Sequence, residues 1–227
     1  GSLPAMSLFT EALAAAAQSE RGITTGVPAA PIRTSWADVH DVALRGATVL
    51  RDAGLRPGGA VAILAGQPVD VAPAAQAVWL AGGSVTMLHQ PTARTDLARY
   101  AADTLAVLTM IEAAVVIVGE PFTSVAEMLT GSGFTALPVD QLRAGEFPAT
   151  PVEAPESATA LLQLTSGSTA TPKAVRITHG NLWANVTGMC QAAELDGARD
   201  VMVSWLPLFH DMGMVGFLTL PMCRGIE

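Results

Sequence analysis

Residues 161–173 read LLQLTSGSTATPK, and AVRIT follows at 174–178. Leu161, Leu162 and Leu164 form an apolar run of strand length, and AVRIT reads as a second strand. The bend between them is made of hydroxyl and small side chains, Thr165, Ser166, Gly167, Ser168, Thr169, Ala170 and Thr171, and is closed by Pro172 and Lys173. Taken alone, the bend has two readings. One is a Ser/Thr/Gly hairpin turn, a common loop composition. The other is an anion cradle, in which small residues let backbone N–H groups converge on an oxyanion, hydroxyls add donors and a lysine adds charge. The G-x-x-x-x-G-K-[ST] phosphate-loop pattern is not met, because Pro172 stands in place of its second glycine and Ala174 in place of its Ser/Thr.

Upstream, strand and helix patterns alternate. AVAILA (60–65) precedes a helix from Val69 to Leu80, stopped by Gly82-Gly83, and SVTMLH (84–89) is the next strand. Thr95 is placed to cap a long helix through Ala113; AVVIVG (114–119), a short helix over Phe122–Leu129 and a short strand over Phe134–Val139 follow. Wholly apolar strands joined by short loops and helices predict an α/β fold, a doubly wound and largely parallel sheet with helices on both faces. Ahead of these lie a helix over Ser7–Gln18, a polar loop over Gly22–Pro31, and a helix started by Ser35 with Asp38. In that helix Trp36, Val39, Ala43, Leu44, Ala47 and Leu50 recur at helical spacing, and Gly54 is placed as its C′ residue. The proline- and glutamate-rich stretch 144–157 reads as a linker between an α/β unit, 6–143, and a second part, 158–227; residues 1–5 read as a cloning remnant ahead of a natural start at Met6.

Downstream, a helix is predicted over Gly180–Ala193 with Asn181 able to cap it, VMVSWL (201–206) as an apolar strand, PLFHDMG (207–213) as a turn and an apolar helix from Met214 to Met222. In open parallel sheets ligands bind beyond the carboxyl ends of the strands, so the 165–173 bend and the 207–213 turn are candidates to face one crevice. His210 can donate to a phosphate or carboxylate oxygen, or it can simply cap the helix that follows. Asp211 reads as a charge favoured by that helix's dipole rather than as a base. Trp205 and Phe209 read as core or pocket wall. Met214, Val215 and Leu218 either line a pocket or pack on the sheet. His40 and His89 read as structural or exposed, and His179 has no stronger case.

Composition narrows the possibilities. The 227 residues are 50% hydrophobic with a net charge of −8 and only 12 basic side chains, spread thinly. There is no basic stripe for nucleic acid, so an anionic substrate must be met by local donors and one or two cations. Cys190 and Cys223 lack metal-ligand spacing and read as buried thiols. No secretory signal is evident, and the longest uncharged run, Met212–Cys223, is too short to span a bilayer. No integral membrane segment is therefore expected, and a cytoplasmic location is.

TSGSTATPKAV (165–175), THGN (178–181) and SWLPLFHDMG (204–213) together resemble the adenylate-forming enzymes: acyl-CoA synthetases, peptide-synthetase adenylation domains and luciferases. The SWLP-aromatic-HDMG stretch looks most like the fatty acyl-AMP ligases, and LHQPT (88–92) sits where those proteins carry a similar strand-end motif. The resemblance implies ATP-dependent activation of a fatty acid to an acyl-adenylate, with release of pyrophosphate. The acyl group would then pass to the thiol of an acyl carrier protein or polyketide synthase. Acyl-CoA synthesis and a non-catalytic acyl- or partner-binding module are the alternatives, with a generic nucleotide hydrolase behind them.

On this resemblance Thr165, Ser166, Gly167, Ser168, Thr169 and Lys173 hold the ATP phosphates, Thr169 helps place Mg2+, and His210 is the catalytic side chain beside the carboxylate and α-phosphate. Ala170 and Ala174 replace glycines of the family pattern. Family members are much longer. The resemblance therefore also implies an N-terminal fragment, inactive by itself, without the adenine- and ribose-binding motifs, the Mg2+-holding glutamate, the hinge, the small C-terminal domain with its lysine, or the insertion that separates acyl-AMP ligases from CoA ligases.

Overall fold

The structure, a computed structural model, describes residues 6–165 and 172–227. A six-stranded sheet in the order β6-β5-β3-β4-β7-β8 forms its centre, and a separate two-stranded hairpin packs beside it. The central strands are β3 (Ala60–Leu64), β4 (Ser84–Met87), β5 (Ala113–Val118), β6 (Ala136–Pro138) and β7 (Thr159–Leu164), all parallel, with β8 (Ala174–Thr178) antiparallel to β7 at one edge. Every residue of β3 and β4 is buried, as expected of strands covered on both faces.

Alternate side chains feed two cores. Val61, Ile63, Val85, Val115 and Leu161 join the helices α1 (Leu8–Ala16), α2 (Trp36–Asp52), α3 (Pro68–Leu80) and α7 (His179–Ala192). Ala60, Ala62, Leu64, Val116 and Val118 join α4 (Leu97–Met110) and α5 (Val125–Gly131) on the other face. Short α6 (Val139–Arg143) completes the sheet's first half. The expected doubly wound sheet is thus present, with one antiparallel strand at its margin.

Helix ends follow local chemistry. Ser35 caps α2 by accepting from Asp38 N at 3.0 Å, and Gly54 adopts φ +108° just beyond the end of that helix. Asp96, not Thr95, caps α4: its carboxylate accepts from Ala98 N and Arg99 N, while Thr95 Oγ1 accepts from Thr92 N. Thr178 and Asn181 form a capping box on α7, so Asn181 serves as the reciprocal partner and Thr178 as the cap.

Two expectations are corrected. The segment 22–31 is not a polar loop: Gly22–Val27 (β1) and Ala30–Ser35 (β2) form an antiparallel hairpin, because Ile23, Thr24, Thr25, Ile32 and Thr34 supply β-branched side chains on both arms. Residues 201–206 are not a strand: Met202 N donates to the Glu227 carbonyl at 2.9 Å, and no ladder with the sheet forms. Met202 packs on the main core, but Val203 is 76% and Trp205 90% exposed, so Trp205 is neither core nor pocket wall.

The proline-rich stretch crosses α2 and α3, with Ala149 N donating to Leu44 O and Val152 N to Leu80 O, both at 2.8 Å. It delivers β7 to β4, where Val85 pairs with Leu161. Trp79 secures that junction: its indole N–H donates to Ala160 O at 2.9 Å, and Phe9 packs edge-on against its ring at 4.8 Å. Both cysteines are buried, and burial pushes the Cys223 thiol up to about 12. Among the described residues no helix is long and apolar enough to cross a membrane.

His179 opens α7 with its ring 1% exposed, Nδ1 lying 2.8 Å from Ser7 Oγ. Desolvation pushes its pKa down, partly opposed by the charge of Glu156. The unfolded chain therefore takes up this proton more readily than the fold does. The contribution is complete above the ordinary histidine value of about 6.5 and is lost as pH falls through the lower folded value. Urea unfolding should show stability falling between about pH 7 and 5.5, above most carboxylate titration, and His179→Gln should flatten that slope.

Candidate functional site

β4 and β7 are parallel neighbours, so their carboxyl ends open at the same edge of the sheet. The chain leaves β4 through Leu88 and His89, and leaves β7 through Thr165. The 207–211 turn lies against this edge. Its backbone is closed by His210 N donating to Pro207 O at 3.1 Å, and Gln163 Nε2 on β7 approaches Phe209 O at 3.4 Å. A groove of about 460 Å³ results, bounded by His89, Gln163, Thr165, Phe209, His210 and Asp211.

The structure therefore brings two of the sequence-selected residues, Thr165 and His210, to one groove. Thr165 N donates to Lys173 O at 3.1 Å, closing the base of the bend. Lys173 lines a neighbouring hollow of about 220 Å³ with Thr165, His89, Tyr100 and Thr104. Ser166, Gly167, Ser168 and Thr169 lie outside the described residues.

His210 is well exposed, and its Nδ1 lies 2.9 Å from Asp211 Oδ1. The same carboxylate oxygen accepts from Met212 N at 2.7 Å, so Asp211 caps the following helical segment while lying within ion-pair distance of the ring. With Nδ1 beside Asp211, Nε2 is the ring nitrogen left for a ligand. The expected apolar helix after the turn exists as a π-helical segment, Met212–Thr219, running into α8 (Leu220–Arg224). Met214 and Leu218 are buried in the main core and so are packing residues, whereas Val215 lines a cleft of about 480 Å³ between α7 and the π-helical segment. That cleft also holds Asn181, Asn185, Met189 and Met212, and it shares Ile177 and Asp211 with the groove at His210.

Sequence reasoning did not select His89, Gln163 or Tyr100. LHQPT at a strand end was the available signal for the first; Gln163 and Tyr100 stand inside ordinary strand and helix patterns. Tyr100 Oη donates to His89 O at 2.7 Å, and burial pushes the phenol's pKa up, with a hydrogen bond to Thr104 opposing. No three His, Cys, Asp or Glu side chains gather as a metal site among the described residues.

Two probes are unusually clean here. Tyr100 is the chain's one tyrosine and Lys173 its one lysine. Spectrophotometric titration should place the phenol above the ordinary value of about 10. Reductive 13C-methylation should yield a single dimethyl-lysine signal, and inorganic pyrophosphate should shift it if Lys173 belongs to an anion cradle. A signal unmoved at saturating pyrophosphate would remove Lys173 from that role.

Comparison with known proteins agrees with this layout. The model of the family described as AMP-binding enzyme matches residues 13–227. "Putative ligase Rv1013" of Mycobacterium tuberculosis is 52% identical over 223 residues, 98% of this chain and 41% of that protein. The long-chain-fatty-acid–AMP ligase FadD32 of Mycolicibacterium smegmatis is 49% identical over 72 residues, 32% of this chain and 11% of its own length. A solved structure from a study of fatty acyl-adenylate ligases of E. coli and L. pneumophila superposes with a TM-score of 0.87 at 26% identity, covering 98% of this chain and 41% of that one. The chain thus spans well under half the length of Rv1013 and of that structure. A family match over nearly the whole chain, on a sheet whose β4 and β7 ends meet His210, makes this chain a member of the AMP-binding, adenylate-forming ligase family.

Proposed function

We propose that the chain supplies the phosphate- and carboxylate-facing part of a ligase that activates a fatty acid as its acyl-adenylate. The observation that carries this reading is the shared groove of Thr165 and His210, continuous through Ile177 and Asp211 with the cleft lined by Met189, Met212 and Val215. The groove sets the polar groups of Gln163, Thr165, His210 and Asp211 among apolar lining, and together with the cleft it suits a ligand with an anionic head and a hydrocarbon tail.

ATP is the co-substrate. A carboxylate oxygen attacks the α-phosphorus, the bond from that phosphorus to the bridging oxygen breaks, and pyrophosphate leaves with the electron pair. The bend beginning at Thr165 would hold the departing phosphates through hydroxyl and amide donors. The Thr165 hydroxyl and Gln163 amide suit phosphate oxygens, whereas the described residues offer no carboxylate cluster for a resident metal. Mg2+ would arrive on the nucleotide, held mainly by phosphate oxygens, with Thr169 as the protein hydroxyl near it. His210 would donate from Nε2–H to the oxygens that gain charge where the two anions meet. The acyl group would pass next to a carrier-protein thiol, the acceptor in the name of another relative, the medium-chain-fatty-acid–[acyl-carrier-protein] ligase TtuA of Teredinibacter turnerae. The need for ATP and a carrier protein fits the cytoplasm.

In the longer protein that carries this chain, fatty-acid-dependent ATP–pyrophosphate exchange is expected, and His210→Ala should lower kcat/KM about 10²-fold, the usual cost of one oxyanion donor. No exchange with any fatty acid, or an unchanged His210→Ala enzyme, overturns the reading. Acyl-CoA formed from free CoA would reassign the acceptor. The 227-residue chain alone is expected to release no pyrophosphate.

A further inference from the structure

We infer that His89 is a positioning residue of this site: its ring props Phe209 and so sets where His210 points. This rests on the functional reading above and deepens it.

Residues 201–206 lead into the 207–211 turn without a sheet ladder, so the turn is held from upstream by the side chains of Met202 and Leu208 on the main core and by Met202 N on the Glu227 carbonyl rather than by strand pairing. After the turn, Met214 N donates to His210 O at 2.9 Å and Met214 is buried, which fixes the downstream backbone. The His210 side chain meets only its neighbour Asp211 among the described polar contacts. Its placement in the groove with Thr165 therefore depends on Phe209, the residue before it. Phe209 is half-buried against the main core and meets the sheet edge at two places: its carbonyl lies 3.4 Å from Gln163 Nε2, and its ring lies 5.5 Å from the His89 ring at an interplanar angle of 39°.

The first contact is long for a hydrogen bond and weak. The second is a tilted aromatic pair. His89 itself is exposed, two residues beyond the buried β4, but its carbonyl is pinned by Tyr100 Oη at 2.7 Å. The His89 ring is also part of both the groove that contains His210 and the hollow that contains Lys173. It stands as a partition between the two, with Thr165 common to both. A ring at this place links the segment leaving β4 to the turn that carries His210. Misplacing a reacting group by an ångström can cost about 10²-fold in rate, so such a prop acts on turnover more than on binding.

The test uses the longer enzyme for kinetics and the 227-residue chain for spectroscopy. His89→Ala should lower kcat for pyrophosphate exchange about tenfold while the KM for ATP stays within about twofold, since His89 is argued to act through His210 rather than on the nucleotide. His89→Phe, which keeps the ring pair, should recover most of the loss. His89→Ala combined with Phe209→Ala should be no worse than Phe209→Ala alone, the sign of one shared function. In the 227-residue chain the His210 ring resonance should move in His89→Ala and return in His89→Phe. An active wild type with an unchanged His89→Ala overturns the inference alone. His89→Phe as impaired as His89→Ala, with ATP KM raised, overturns it in favour of a polar contact from the imidazole to the ligand. Strict additivity in the double variant or a stationary His210 resonance also overturns it. A wild type that catalyses no exchange overturns the functional reading and this inference with it.

Discussion

The pairing of β4 with β7 is the contact on which the rest of the molecule depends. Ser84–Met87 is already buried between layers when Thr159–Leu164 arrives alongside it, parallel, with Leu161 opposite Val85. Parallel pairing is what puts both carboxyl ends at one edge, and so sets His89 beside Thr165. A one-residue slip would exchange the faces of β7, pushing Leu161 and Leu162 into each other's layers and carrying Ala160 O away from the Trp79 indole. That hydrogen bond and the edge-on Phe9 ring give the register a penalty for error beyond the apolar burial. The proline-rich crossing over α2 and α3 spans the distance without forming a strand that would compete for the same edge.

Much of this was legible in the order of residues because the strands are buried on both faces and so read as unbroken apolar runs. The errors came where local pattern and tertiary partner disagree. VMVSWL has the composition of a strand, yet strands need a ladder, and here Met202 meets only the Glu227 carbonyl. The 22–35 hairpin is masked because Gly26, Pro28, Ala29, Ala30 and Pro31 at its centre have loop composition and leave only short β-branched arms on either side. Thr95 and Asp96 are both competent caps; a carboxylate that accepts from two N–H groups prevails over a hydroxyl that accepts from one.

The site was legible in its loops and illegible in its walls. Thr165 and His210 carry signals because polar residues directly after, or between, apolar runs are conspicuous. Gln163 sits inside a strand and Tyr100 inside a helix, and each faces the site only because of how β7 and α4 lie on the sheet. The same holds for the division among Met214, Val215 and Leu218. In a π-helical segment the side chains advance by a different angle from those of an α-helix, so helical spacing assigns the wrong members to the cleft. Val215 faces it while Met214 and Leu218 turn to the core.

Charge poses the remaining problem, since in the proposed reaction a chain of net charge −8 would have to let two anions approach each other. Asp211 adds a carboxylate to the turn that lines the groove. Its charge is partly met by Met212 N at 2.7 Å and lies 2.9 Å from His210 Nδ1, so it faces the groove beside an imidazole rather than as an isolated negative group. The His210 side chain remains 63% exposed. At that exposure a unit charge acts through a high dielectric and is worth about 1 kcal/mol at 4 Å, far short of what a tenfold-by-tenfold rate effect requires. Oriented donors therefore matter more than net charge while the groove is open, and the imidazole gains its full leverage only when water is excluded from around it.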